Sequence, residues 1–182
     1  MKRFGLIVVL VAGLASTASA QGVGKLGIYG DTAGNSCNIL DQGAPAIRPV
    51  YVVHKFDPGE GATASRFKIV ATNVTMTFLG TSTSYAVLGA WDTGISIGYG
   101  QCVNTTTSIL TINFFGVGAN AACARFDMVP DPIPAAIQIT TCDFGDVNVP
   151  NGGSAIVNPD ANCQCNIATN QSTWGGVKAL YK

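Results

Sequence analysis

His54 is the only histidine in this chain and Glu60 the only glutamate, so acid–base chemistry has few side chains to draw on. A Ser-His-Asp arrangement would need His54, an aspartate such as Asp57 to orient it, and a serine delivered by the fold. No Gly-x-Ser-x-Gly elbow accompanies them. His54 closes a β-branched and aromatic stretch just before the turn residues Asp57-Pro58-Gly59, which predicts a solvent-facing histidine at a strand end. Glu60 with an aspartate could make the carboxylate pair of a glycosidase, yet every acidic residue here also sits in turn-forming sequence. Cys142, Cys163, Cys165 and His54 are ligand types that zinc accepts, but paired Cys-x-x-Cys spacing is absent. Asp31-Thr32-Ala33-Gly34-Asn35 with Asp41 offers oxygen atoms to calcium; without the Asp-x-Asp-x-Asp-Gly loop and its distal glutamate it reads as a capped turn. The residue types therefore predict no catalytic set, no metal site and no cofactor.

Six cysteines, Cys37, Cys102, Cys123, Cys142, Cys163 and Cys165, carry the other chemistry, disulfide formation. Cys102 and Cys123 bracket an apolar run, and a bridge between them would close a loop of roughly 20 residues, worth on the order of 3 kcal/mol. Cys163 and Cys165, two apart, point to the same face of a strand and cannot easily bridge each other. Each then needs a partner from Cys37 and Cys142, and the order stays open.

The amino terminus supplies the compartment in which such bridges form. Lys2 and Arg3 precede the apolar run Leu6 to Leu14, and Ala18-Ser19-Ala20 before Gln21 fits a signal-peptidase site. Residues 1–20 are expected to be a cleaved signal peptide and residues 21–182 a single disulfide-stabilised domain, secreted, periplasmic or extracellular. The run is too short for a bilayer crossing, and the end Leu180-Tyr181-Lys182 is no apolar anchor, so no membrane attachment is expected after cleavage. Loss of Lys2 and Arg3 leaves eight basic and ten acidic residues, 8 − 10 = −2. With lysine and arginine scattered singly, a nucleic-acid partner is excluded.

Short apolar alternations separated by Gly, Pro, Asn and Asp must position all of this, the pattern of a β-sandwich or barrel. Phe67 and Ile69 should face a core while Arg66 and Lys68 face water. Val74, Met76 and Phe78 alternate with Thr75 and Thr77, and Ile95, Ile97 and Tyr99 with Gly94, Ser96 and Gly98. Ser108 to Phe115 is the longest apolar run, and Pro130-Asp131-Pro132-Ile133-Pro134 must interrupt any ladder. Ala155-Ile156-Val157, the turn Asn158-Pro159-Asp160 and Cys163 to Ile167 read as a hairpin. At the carboxyl end Ser172 can cap a short helix with Trp174, Val177, Leu180 and Tyr181 on one face. Tyr51, Tyr85, Trp91 and Tyr99 would mark a carbohydrate-binding module if they lined one exposed face, although core packing is the commoner use of such rings.

Tyr51-Val52-Val53-His54, Thr63 to Lys68, Ile156 to Asp160 with Cys163-Gln164-Cys165, and Thr173 to Tyr181 together resemble a group of uncharacterised secreted bacterial proteins. The likeness runs over nearly all of the mature chain. It implies export and an antiparallel β-sandwich of immunoglobulin or cohesin type, and says nothing of a substrate. The expectation is an all-β sandwich with a short C-terminal helix, acting without catalysis in structure, adhesion or assembly and holding an unknown protein or glycan partner. The alternatives are a carbohydrate-binding module or a hydrolase using His54.

Overall fold

The alternation Arg66-Phe67-Lys68-Ile69 becomes the centre of the fold. Its two apolar side chains are sealed inside, because a pleated strand sends successive residues to opposite faces. The computed structural model describes residues 22–165. Their strands are β1 (Lys25–Tyr29), β2 (Asn38–Ile39), β3 (Ala46–Lys55), β4 (Ala62–Thr72), β5 (Thr77–Ser82) and β6 (Ala86–Ala90). There follow β7 (Gly94–Val103), β8 (Thr107–Gly116), β9 (Ala124–Val129), β10 (Ile137–Thr141), β11 (Asp146–Val149) and β12 (Ser154–Val157). Among the described residues no helix is long and apolar enough to cross a membrane.

Two sheets face each other. One has four strands in the order β1-β3-β8-β5. The other has eight, and β4 is its hub: Ala62 to Phe67 pairs with β7, which carries β6 at the edge. On its other side β4 pairs first with β10 and then, from Lys68 to Thr72, with β9. The proline-rich segment makes that division possible. It has no amides to donate at Pro130, Pro132 and Pro134, so it leaves the ladder and returns through a bridge between Asp131 and Ala136. Asp131 is buried there, its Oδ1 accepting from the Ile133 amide while Oδ2 stands 3.3 Å from Arg66 Nε on β4. Phe67, Ile97, Ile109, Ile112, Phe126 and Ile139 fill the space between the sheets. The architecture is all-β, with one parallel pair, β2 with β12, in an otherwise antiparallel sandwich.

Several expectations are corrected. Val74 to Phe78 does not form one strand: Asn73 takes a φ of 58°, which turns the chain, so β5 begins only at Thr77 and Phe78 is exposed. The last hairpin is absent within the described residues, because β12 inserts between β9 and β2 and leaves Cys163 to Cys165 in loop. Cys102 does not pair with Cys123. The bridges are Cys37–Cys165, Cys102–Cys142 and Cys123–Cys163. Cys102 and Cys142 come together because β7 and β10 flank β4, and they meet over Gly61, where a Cβ would lie 2.8 Å from Cys142 Sγ and 3.2 Å from Cys102 Sγ. The expected C-terminal helix lies outside the described residues.

Candidate functional site

His54 is not at the surface. Val52, Val53 and His54 are all fully buried, three in succession, because the β3–β8 register shifts between Val52 and Val53 and the segment at Val23 covers the ring. His54 Nε2 lies 2.7 Å from the Val23 carbonyl, which can only accept, so Nε2 carries the proton. Nδ1 is then the acceptor for the Tyr99 hydroxyl at 2.8 Å. Phe56 stacks at 4.2 Å between centroids. Burial lowers the imidazole pKa to about 4 against the opposing pull of the Val23 carbonyl, and burial likewise raises Tyr99. Both ring nitrogens are committed and no solvent reaches them, so this imidazole is a packing element and has no path to a substrate.

The other candidates also resolve into structure. Asp31 accepts from the amides of Ala33, Asn35 and Ser36, the capped-turn arrangement, with Asp41 taking no part. Asp41 is buried elsewhere, beneath the β8–β9 connection. Its carboxylate accepts from Asn120 Nδ2 at 2.6 Å, from the Gly118 and Asn120 amides, and from Arg48 Nε. Burial would raise its pKa, but these donors outweigh that and hold the carboxyl below the ordinary aspartate range. Asn158 completes the network, its side chain meeting both the Asp41 backbone and the Asn120 carbonyl. Glu60 caps its own loop through the Asp57 amide. The proposed zinc ligands are divided among three separate bridges and the His54 pocket. Asp160 Oδ1 does approach Cys123 and Cys163, at 3.3 and 3.4 Å, but those sulfurs share one disulfide and lack the thiolate charge that holds a metal.

Tyr51, Tyr85, Trp91 and Tyr99 form no exposed row: the first three are half-buried and the last is buried. Tyr99 is in the core, and Tyr85 and Trp91 pack against it. A groove of about 610 Å³ opens between β1 and β12, lined by Lys25, Tyr29, Lys55, Phe56, Gly153 and Cys165. It gathers neither His54 nor Glu60. Lys55 is spent on the Gly34 carbonyl and the Tyr29 ring, and Lys25 pairs with Asp57.

One open surface among the described residues is the outer face of the eight-stranded sheet. Cross-strand pairing places Leu88, Ser96, Arg66 and Gln138 in one row and Ala86, Gly98, Ala64 and Thr140 in the next. Their in-line neighbours Ile95, Ile97 and Phe67 are buried, so these residues must point outward. The centre is small and flat. A Cβ added at Gly98 would meet nothing within 4 Å. The alternation of Gly94, Ser96 and Gly98 with Ile95, Ile97 and Tyr99 carries the signal for this face, but which strands flank it depends on long-range pairing.

No protein-family model matches this sequence, and no curated protein matches it. Its fold is shared with solved cohesin modules. One is from Clostridium thermocellum in the Coh-OlpA–Doc918 cohesin–dockerin complex: TM-score 0.52, 14% identity, over 75% of this chain and 98% of that one. Another is the cohesin module of a family 33 glycoside hydrolase from Clostridium perfringens: TM-score 0.50, 7% identity, over 76% of this chain and 99% of that one. At such identities the likeness establishes the fold alone, a cohesin-like β-sandwich.

Proposed function

We propose that this chain is an exported, non-enzymatic assembly module that holds a protein partner on the outer face of its eight-stranded sheet. The observation that carries the reading is that face: Ala64, Ser96 and Gly98, each partly exposed, form a flat centre beside the exposed Leu88. The burial of His54, with both nitrogens committed, speaks against hydrolysis. Three disulfides favour an oxidising compartment, outside the cytoplasm. The cohesin from Clostridium thermocellum is held in a complex with a dockerin, which makes a protein the partner class to test first.

The test compares the protein with its Gly98→Arg variant, in which a long cation stands on the face without disturbing packing. Both are immobilised and exposed to the secreted fraction of the native source, and retained proteins are quantified by mass spectrometry. A protein retained by the parent and lost with Gly98→Arg supports the reading. Binding to a glycan array with no retained protein overturns it in favour of carbohydrate recognition, and turnover of a substrate that His54→Gln abolishes overturns it in favour of an enzyme.

A further inference from the structure

Gly153 joins the two sheets. Its amide donates to the Leu26 carbonyl on β1, in the four-stranded sheet, and its carbonyl accepts from the Met128 amide on β9, in the eight-stranded one. The chain passes very close to its neighbours there: a Cβ on Gly153 would lie 2.8 Å from Gly27 Cα, and one on Gly152 would lie 2.4 Å from Met128 Cβ. Both contacts are with atoms that no rotamer change can withdraw, so the packing demands glycine at Gly152. The residue before it is Asn151, and this is the only Asn-Gly pair in the chain. Asn151 is exposed, and among the described residues no hydrogen bond engages its side-chain amide or the Gly152 N–H. With no Cβ beside it, the Gly152 nitrogen is unscreened from the Asn151 side chain, and an attack between groups held so near in the chain needs no encounter.

We propose that Asn151 is a self-modification site, at which the Gly152 backbone nitrogen, giving up its proton to hydroxide, attacks Asn151 Cγ and expels the side-chain nitrogen as ammonia. One C–N bond forms and one breaks, which leaves a five-membered succinimide. Water then opens the ring. Addition at Cγ gives an ordinary aspartate, and addition at the backbone carbonyl gives a β-linked isoaspartate whose main chain runs through the former side chain. The β-linked product lengthens the main chain by one atom just before Gly153, so the displacement falls on the hydrogen bonds to Leu26 and Met128. Either product sets a new carboxylate on the wall of the groove that Lys25 and Lys55 also line. The reaction thus loosens the join between the sheets with age. Other asparagines lack the same combination: the Ser36 amide after Asn35 is held by Asp31, Thr105 after Asn104 is β-branched, and Pro159 after Asn158 has no N–H. The inference goes beyond partner holding, because it concerns the seam between the sheets and leaves Gly98 untouched.

Ageing the full disulfide-bonded chain at mildly alkaline pH, beside a sample kept mildly acidic, tests it. Samples are digested at intervals and read by mass spectrometry. In the alkaline series the peptide that contains Asn151 should gain the mass of a hydroxyl in place of an amino group, separate into two isomers, and accept a methyl group from an isoaspartyl methyltransferase. Peptides that contain Asn35 or Asn104 should change about tenfold more slowly or not at all. Asn151→Gln, whose longer side chain would have to close a larger ring, should stay unmodified. Hydrogen exchange at the Gly153 and Met128 amides should run about tenfold faster in the aged parent, the size of one weakened hydrogen bond. Freshly made Asn151→Asp carries the charge without the added main-chain atom and should keep the parent's protection. No conversion at Asn151, equal conversion at Asn35, a product that is aspartate alone, or an aged parent with unchanged exchange at Gly153 would each overturn the proposal.

Discussion

At the scale of single residues, two buried polar groups contribute to the pH response. His54 has an ordinary pKa of 6.5 when unfolded and about 4 in the fold, so the unfolded chain binds the extra proton over that interval. Stability is therefore full above the unfolded value and declines as pH falls from about 6.5 to about 4, by about 3 kcal/mol in all. Urea unfolding at a series of pH values should show this slope in the parent and a flatter profile in His54→Gln. Asp41 acts further down the scale. Its pKa is depressed, so its contribution is complete above the ordinary aspartate value and disappears as pH falls through the folded one. Asp41→Ala leaves Asn120, the Gly118 amide and Arg48 facing a vacancy in the interior, and should cost about 3 kcal/mol at neutral pH. The same denaturation measurement reads it.

At the scale of elements, the cysteines show how strand order overrides sequence proximity. Cys102 and Cys123 stand on either side of β8 in the sequence, yet each is carried to a different neighbour, because β7 flanks β4 while β9 continues toward β12. Cys102–Cys142 spans 40 residues and clips the β10 side of the sheet to the β7 side. The double variant Cys102→Ser, Cys142→Ser frees that loop in the unfolded chain and should lower stability by about 4 kcal/mol. Digestion without reduction, followed by mass spectrometry, should recover a peptide that links Cys102 to Cys142. Gly98→Arg on β7 should stay within about 0.5 kcal/mol of the parent, since the added side chain enters open solvent.

At the scale of the whole molecule, β4, β3 and β8 are each paired on both sides and form the interior of the two sheets, whereas β6 and β11 are exposed edges. Native-state hydrogen exchange should be slowest in the first three and fastest in the last two. Closure comes late in the chain. β12 reaches back to β2 and Cys165 to Cys37, so the first and last described parts of the sequence are locked to each other. A module closed in this way can present a sheet face as a fixed surface, which is what a role in assembly requires.

The period of two in Phe67 and Ile69, and in Ile95, Ile97 and Tyr99, was enough to place those side chains inside a sheet, because strand geometry fixes alternate faces locally. The proline run announced its own break in the ladder for an equally local reason. The exposure of His54 and the partner of each cysteine were not readable in that way. A register shift between Val52 and Val53 decided the first, and the order β10-β4-β9 with β7 opposite decided the second. Local stereochemistry along the chain placed the strands around Phe67 and around Ile95 to Tyr99 but not the stretch from Val74 to Met76; pairing between distant segments, which no short window of sequence encodes, decided what the strands bury, bridge and leave open.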